Sequence, residues 1–181
     1  MSFKTGLSYG RVERTPALTE FDQSRDAFLA AIEPAPDESL AYLRQGDIYA
    51  LGGLVVHCNQ VLRHYRRVLD HLIVAEPKEF RASDPAEEVA DSDRRALAGL
   101  APAERAAELR SLATLHGDVM RTALSIPEGG WERKTPVFYG DAPEAYPTSP
   151  DDVIGWLRDH YREHVPHAAE LIAEWRASRA R

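Results

Sequence analysis

Two histidines one helical turn apart, His160 and His164, sit in the segment Trp156-Leu157-Arg158-Asp159-His160-Tyr161-Arg162-Glu163-His164. They fall in the middle of an apolar stripe, and His167 follows on the same side. A core-facing imidazole needs partners for its ring nitrogens. Neutral imidazole is also a common ligand for zinc, nickel, copper and iron, so several aimed into one helix interior point to a divalent ion. At ~100° per residue the pair is roughly 40° apart around the axis, with Cβ atoms about 5–6 Å apart, which suits two ligands on one ion. The competing reading hydrogen-bonds each imidazole in the core or at its rim. A metal site needs at least one more protein ligand.

An earlier segment offers His57, His64 and His71, one heptad apart. On a helical wheel centred on Cys58 they stand roughly 100–140° from the middle of the stripe, with His57 the most inward. His64 and His71 drift outward and read as rim or solvated side chains. His116 is centred on the apolar face of another helix and competes with His57; the wheel does not choose between them. His167 reads as a ligand or as a group supporting one. Pro166 lacks an N–H, frees the carbonyl of Arg162 and predicts a bend in the last helix.

Four amphipathic helices must position these groups. The first is predicted over about Thr19 to Ile32, with Thr19 as cap, a stripe of Phe21, Phe28, Leu29 and Ile32, and Pro34 and Pro36 as terminators. The second is predicted over roughly Asp47 to Val74, from Leu51, Leu54, Val55, Cys58, Val61, Leu62, Tyr65, Val68, Leu69 and Leu72 at spacings of three and four. Gly52 and Gly53 weaken its first turns and permit another backbone to approach closely. Residues 76–100 are rich in Asp, Glu, Ala and Arg and read as a surface connection with at most a short helical piece. The third helix begins near Pro102, carries Leu109, Leu112, His116, Val119, Met120 and Ala123 on one face, and stops before Pro127. Trp131 to Ser149 reads as an ordered loop that shields Trp131, Val137, Phe138, Tyr139 and Tyr146. The fourth helix has the clearest start in the chain: Ser149 as cap, Pro150 in the first position, then Asp151 and Asp152 at the positive end of the dipole. Its apolar side holds Val153, Leu157, Ala168, Leu171 and Trp175. With no strand run of comparable strength, the expected fold is all-α, a four-helix bundle with a long connection before the last helix.

The 181 residues suit one domain, with a core over about residues 18–177. A net charge of −7 argues against nucleic-acid binding, and Arg63, Arg66 and Arg67 read as a solvated helix face. No apolar run approaches the ~18 residues of a membrane span. The first ten residues lack the pattern of a secretory signal, and the single Cys58 suits a reducing compartment, so the expected location is cytoplasmic.

A four-helix bundle with one histidine on its second helix and a His-x-x-x-His pair on its last resembles the DinB-like, or YfiT-like, superfamily. The residues that carry the resemblance are Tyr49-Ala50-Leu51-Gly52-Gly53-Leu54-Val55-Val56-His57 and Asp159-His160-Tyr161-Arg162-Glu163-His164-Val165-Pro166-His167-Ala168. The resemblance implies a divalent metal (zinc, nickel or iron) held by His57, His160 and His164, and it is what selects His57 over His116. It also implies a metal-dependent enzyme acting on a small molecule, with a homodimer as an expected assembly. Superfamily members with assigned activities include thiol-dependent S-transferases and a mycothiol-dependent maleylpyruvate isomerase, so the resemblance implies transfer of a low-molecular-weight thiol cofactor to a small electrophile as the first expected reaction. Others resemble metal-dependent hydrolases, and a non-catalytic bundle of the stress-protein kind is the remaining alternative. Some members carry adjacent histidines on the fourth helix, where this chain has Glu163-His164 and then His167. Asp159, Tyr161 and Glu163 are close enough in sequence to orient ligands or move protons, although each also reads as a surface or structural residue.

Overall fold

The computed structural model describes residues 9–74 and 76–180, with side chains from residue 16 onward. Residues 1–8, which carry most of the segment read for a secretory signal, lie outside the described residues. Helix α1 spans Tyr9–Ile32, α2 Gly53–Leu72, α3 Ala86–Ala98, α4 Pro102–Ser125 and α5 Pro150–Arg179. Helices α1, α2, α4 and α5 form the bundle: α1 packs on α5, α2 packs on α4 and on α5, and α3 leans against α2. Three short strands, β1 (Phe80–Ala82), β2 (Thr135–Tyr139) and β3 (Tyr146–Thr148), make a small sheet in the order β1-β2-β3. β1 runs parallel to β2 with Phe80 opposite Val137, and β2 runs antiparallel to β3 with Thr135 opposite Thr148. No helix among the described residues is long and apolar enough to cross a membrane.

The core joins Phe21, Phe28 and Ile32 of α1 to Leu54, Leu62 and Leu69 of α2, Leu112 and Val119 of α4, and Ile154, Leu157, Tyr161 and Leu171 of α5. Helix ends follow their local chemistry. At α5 the Ser149 hydroxyl accepts from the Asp152 N–H, and the Asp152 carboxylate accepts from the Ser149 N–H at 2.7 Å. At α4 the Glu104 carboxylate accepts from the Ala101 N–H, and Pro102 fills the first position. Arg105 closes α1 by donating to the carbonyls of Ile32, Glu33 and Ala35. Arg133 does the same for α2 through Leu72 and Val74.

Several expectations need correction. Helix α1 begins at Tyr9, not Thr19, and takes Pro16 inside it. Leu18 is buried, so the stripe already runs before the residue read as a cap. Helix α2 begins at Gly53, because residues 50–52 bond outside it: the N–H groups of Ala50, Leu51 and Gly52 donate to the carbonyls of Ala96, Tyr42 and Leu40. Residues 76–100 form a strand and a thirteen-residue helix. The few apolar groups of α3 suffice because it buries only Ser92 and Ala96. The expected loop at residues 131–149 is a β-ribbon that buries Trp131 and Val137, while Tyr146 stays 55% exposed. Trp175 is only half-buried, near the end of α5. Helix α5 runs unbroken through Pro166, whose ring faces outward.

Candidate metal centre

His57, His160 and His164 converge between α2 and α5. Each offers one ring nitrogen, and the three nitrogens lie within 4.8 Å of one another. Ring centroids are 4.8 Å apart for His57 and His160, 5.3 Å for His57 and His164, and 4.6 Å for His160 and His164. The rings meet edge to face. His164 is buried, and the other two are half-buried. Nitrogens ~2.1 Å from a single ion stand at most ~4.2 Å apart, so small side-chain rotations bring the set together.

The surroundings fit such an ion. Both ring nitrogens of His164 and Nε2 of His160 are buried with no hydrogen-bond partner among the described residues. An unpartnered buried polar atom costs about 1–3 kcal/mol, and a cation removes that cost for each nitrogen it engages. Burial, reinforced by the His160 ring, holds His57 at a pKa of about 4. Burial, together with His160, His57 and His167, holds His164 at about 3. Burial also lowers His160, against an opposing pull from the Glu163 charge. All three are therefore neutral near pH 7, the form that has a lone pair to give.

The other histidines have different duties. His116, the competitor for the third position, is a core residue: Nε2 lies 3.2 Å from Asp22 Oδ1, and Nδ1 lies 3.5 Å from the Tyr161 hydroxyl. Its ring packs on Phe21 at 4.2 Å. His64 bonds Asp84 through Nδ1, and His71 bonds the Arg67 carbonyl and stacks on Phe80. Of the arginines on α2, Arg66 pairs with Asp118, and Arg67 with Asp84 and Glu88. Tyr161 is buried against Phe21 and Phe28, Asp159 is exposed and paired with Arg158, and Glu163 is exposed.

His167 bonds Asp47 Oδ2 through Nε2 at 3.1 Å, and its ring lies 5.8 Å from His164. Burial pushes the Asp47 carboxyl up, but hydrogen bonds from His167 and Arg44 outweigh it and hold the group below its ordinary value. Two neighbours of the site had no assigned role in the sequence, Asp47 and Tyr49. Tyr49 stacks on His57 at 4.2 Å and meets His164 edge-on at 6.0 Å. Neither residue is on a helix. They arrive through the turns before α2, so no periodicity could have marked them.

A comparison with solved structures then places the architecture. The chain superimposes on YfiT from Bacillus subtilis with a TM-score of 0.70, covering 96% of this chain and 94% of that one at 19% identity. The fold is that of YfiT. That protein is described as a probable metal-dependent hydrolase with an unusual four-helix bundle topology. No protein-family model matches the chain, and no curated protein matches it in sequence. The YfiT-like bundle thus supplies the scaffold, and the three histidines stand on the two helices that the resemblance implied.

The lowered histidine values predict how the metal-free protein responds to acid. The unfolded chain takes up protons near pH 6.5, whereas folded His57, His116 and His164 wait until about pH 3–4. Stability is therefore complete above pH 6.5 and falls as the pH drops toward 4, by about 1.4 kcal/mol per pH unit for each such group. Thermal unfolding of chelator-treated protein at pH 7.5, 6, 5 and 4.5 should show this decline. A flat profile would contradict the burial of these imidazoles as neutral groups.

Proposed function

We propose that this protein is a divalent-metal-dependent enzyme that hydrolyses a small-molecule substrate. The observation that carries this reading is the convergence of three neutral imidazoles whose buried nitrogens lack partners. His57, His160 and His164 would hold a divalent ion through neutral ligands that leave its charge undiminished, and that ion would supply Lewis-acid activation of water and of a substrate carbonyl. The description of YfiT as a probable metal-dependent hydrolase supports the same chemistry.

The chain's own groups have definable tasks around that position. Tyr49 lies flat against His57, restricts its ring and keeps water from one side of the triad. The Asp47 carboxylate can only accept, so His167 donates Nε2–H to it. Arg44 Nε donates to the same Asp47 oxygen, Oδ2, at 3.0 Å. The result is an imidazole held in a fixed orientation on α5, one turn beyond His164.

Elemental analysis of purified protein should find about one divalent ion per chain. Chelation followed by return of zinc, nickel or iron should remove and restore hydrolysis across a panel of small esters and amides without any added thiol. His160→Ala should lower metal affinity at least ~100-fold, beyond the 10–100-fold typical of outer-shell changes. Metal content indifferent to His160→Ala would refute the site. Turnover seen only with a low-molecular-weight thiol would move the assignment to S-transfer.

A further inference from the structure

The seam between α2 and α5 does not end at the histidines. Trp156 precedes His160 by one turn of α5, and Tyr65 follows His57 by two turns of α2. Their rings meet at 5.7 Å, as those of His57 and His160 meet at 4.8 Å, so both pairs bridge the same two antiparallel helices. The second pair is displaced by ~6 Å along α5 and ~12 Å along α2 at 1.5 Å per residue. The sheet completes this second place. Tyr139 of β2 stands 6.1 Å from Trp156 and 6.4 Å from Tyr65, and Tyr146 of β3 stands 5.9 Å from Trp156. With Ala142 and Glu144 these four aromatic residues line a groove of about 510 Å³.

The shape and charge of the groove restrict what fits it. The four neighbouring ring pairs are inclined by 52–77°, so the walls form a cup and not a parallel-sided slot. A flat ring stacks best between parallel faces, whereas inclined faces turn their negative π clouds toward a rounded cation. Among the described residues, Glu144 is the one carboxylate lining the groove, and no lysine, arginine or histidine lines it. The Tyr139 hydroxyl is held by Thr148 at 3.1 Å, and burial pushes its pKa up to about 12, so that wall stays neutral. Tyr146 remains 55% exposed, an open face on the side from which a ligand would enter.

We infer that this groove binds an alkylated ammonium group and thereby holds the substrate of the metal centre by its cationic end. Binding by the groove stands on the aromatic cup and Glu144; the link to turnover rests on the metal-enzyme reading above.

The test titrates the full-length protein with choline and with its uncharged isostere 3,3-dimethylbutan-1-ol, reading tryptophan fluorescence and ring-proton shifts. Choline should bind about 10-fold more tightly than the isostere. Trp156→Leu should weaken choline about 10-fold, with metal content and metal-induced thermal shift unchanged as a check on folding. Glu144→Gln, a surface change, should weaken choline about 3-fold and leave the isostere unaffected. Equal affinity for choline and the isostere, or choline binding indifferent to both substitutions, overturns the proposal. Protein that takes up no metal yet prefers choline removes only the link to turnover. Protein that takes up metal but ignores choline overturns the groove and leaves the metal centre standing.

Discussion

His164→Leu is expected to abolish metal-induced stabilisation while raising the stability of the metal-free protein. The two effects have separate origins. His164 is 4% exposed, and neither of its ring nitrogens has a partner among the described residues. Leucine has similar bulk and nothing to satisfy, so the metal-free variant should gain about 1–2 kcal/mol. The same substitution removes one of three ligands. A wild-type protein in metal at 1,000 times Kd gains about 4.1 kcal/mol, and the variant should gain almost none. Thermal unfolding with chelator and with added zinc or nickel measures both quantities in one experiment. If His164 were an ordinary core histidine, wild type would not respond to metal and the substitution would not separate the two conditions.

Gly53→Ala is expected to destabilise the fold by roughly 3 kcal/mol, against the usual gain for alanine in a helix. A Cβ at this position would stand 1.8 Å from the Ala96 carbonyl oxygen, which also accepts the Ala50 N–H at 2.9 Å. The neighbour is backbone and cannot rotate away. Helix α3 must shift, and the Ala50 bond is lost with it. The contact belongs to a tight crossing, since Gly52 donates to the Leu40 carbonyl at 2.8 Å, and Gly99, at φ +76°, brings its own backbone against the same carbonyl. Gly117→Ala is the internal control: its nearest neighbour is the end of the Arg121 side chain at 3.8 Å, so the helix-propensity gain of about 0.5–1 kcal/mol should appear unopposed. For a chain of this size the Gly53 loss corresponds to a fall in Tm of roughly 10 °C. Gly53 lies one turn before His57, so metal affinity should fall as well. Unchanged unfolding of Gly53→Ala would refute the close crossing of α2 and α3.

The bundle was legible because its helices repeat. Leu54, Cys58, Leu62 and Leu69 of α2 recur at helical spacing and are buried, as are Val153, Leu157, Ala168 and Leu171 of α5. Ser149 and Pro150 announced the start of α5, and the structure begins that helix where they stand. The small sheet was not legible. β1 and β3 are three residues each, too short for an alternating pattern, and they pair across a separation in sequence that no local signal reports. Helix α3 escaped for a related reason: it rests on the backbone of α2 through Ala96, opposite Gly53, so it needs little apolar surface of its own.

The candidate centre divides along the same line. Spacing by itself determined that His160 and His164 share one face of one helix, because a turn of helix is a local property of consecutive residues. It also determined that Gly52 and Gly53 leave room for a second backbone. The helical wheel did not choose between His57 and His116; the family resemblance pointed to His57. The packing adds what spacing could not, setting His116 against Asp22 and Phe21 and bringing His57 beside His160 of α5. Asp47, Tyr49 and the two groove tyrosines of the sheet, Tyr139 and Tyr146, were likewise beyond periodicity, because they reach the seam from turns and strands whose position depends on long-range contacts.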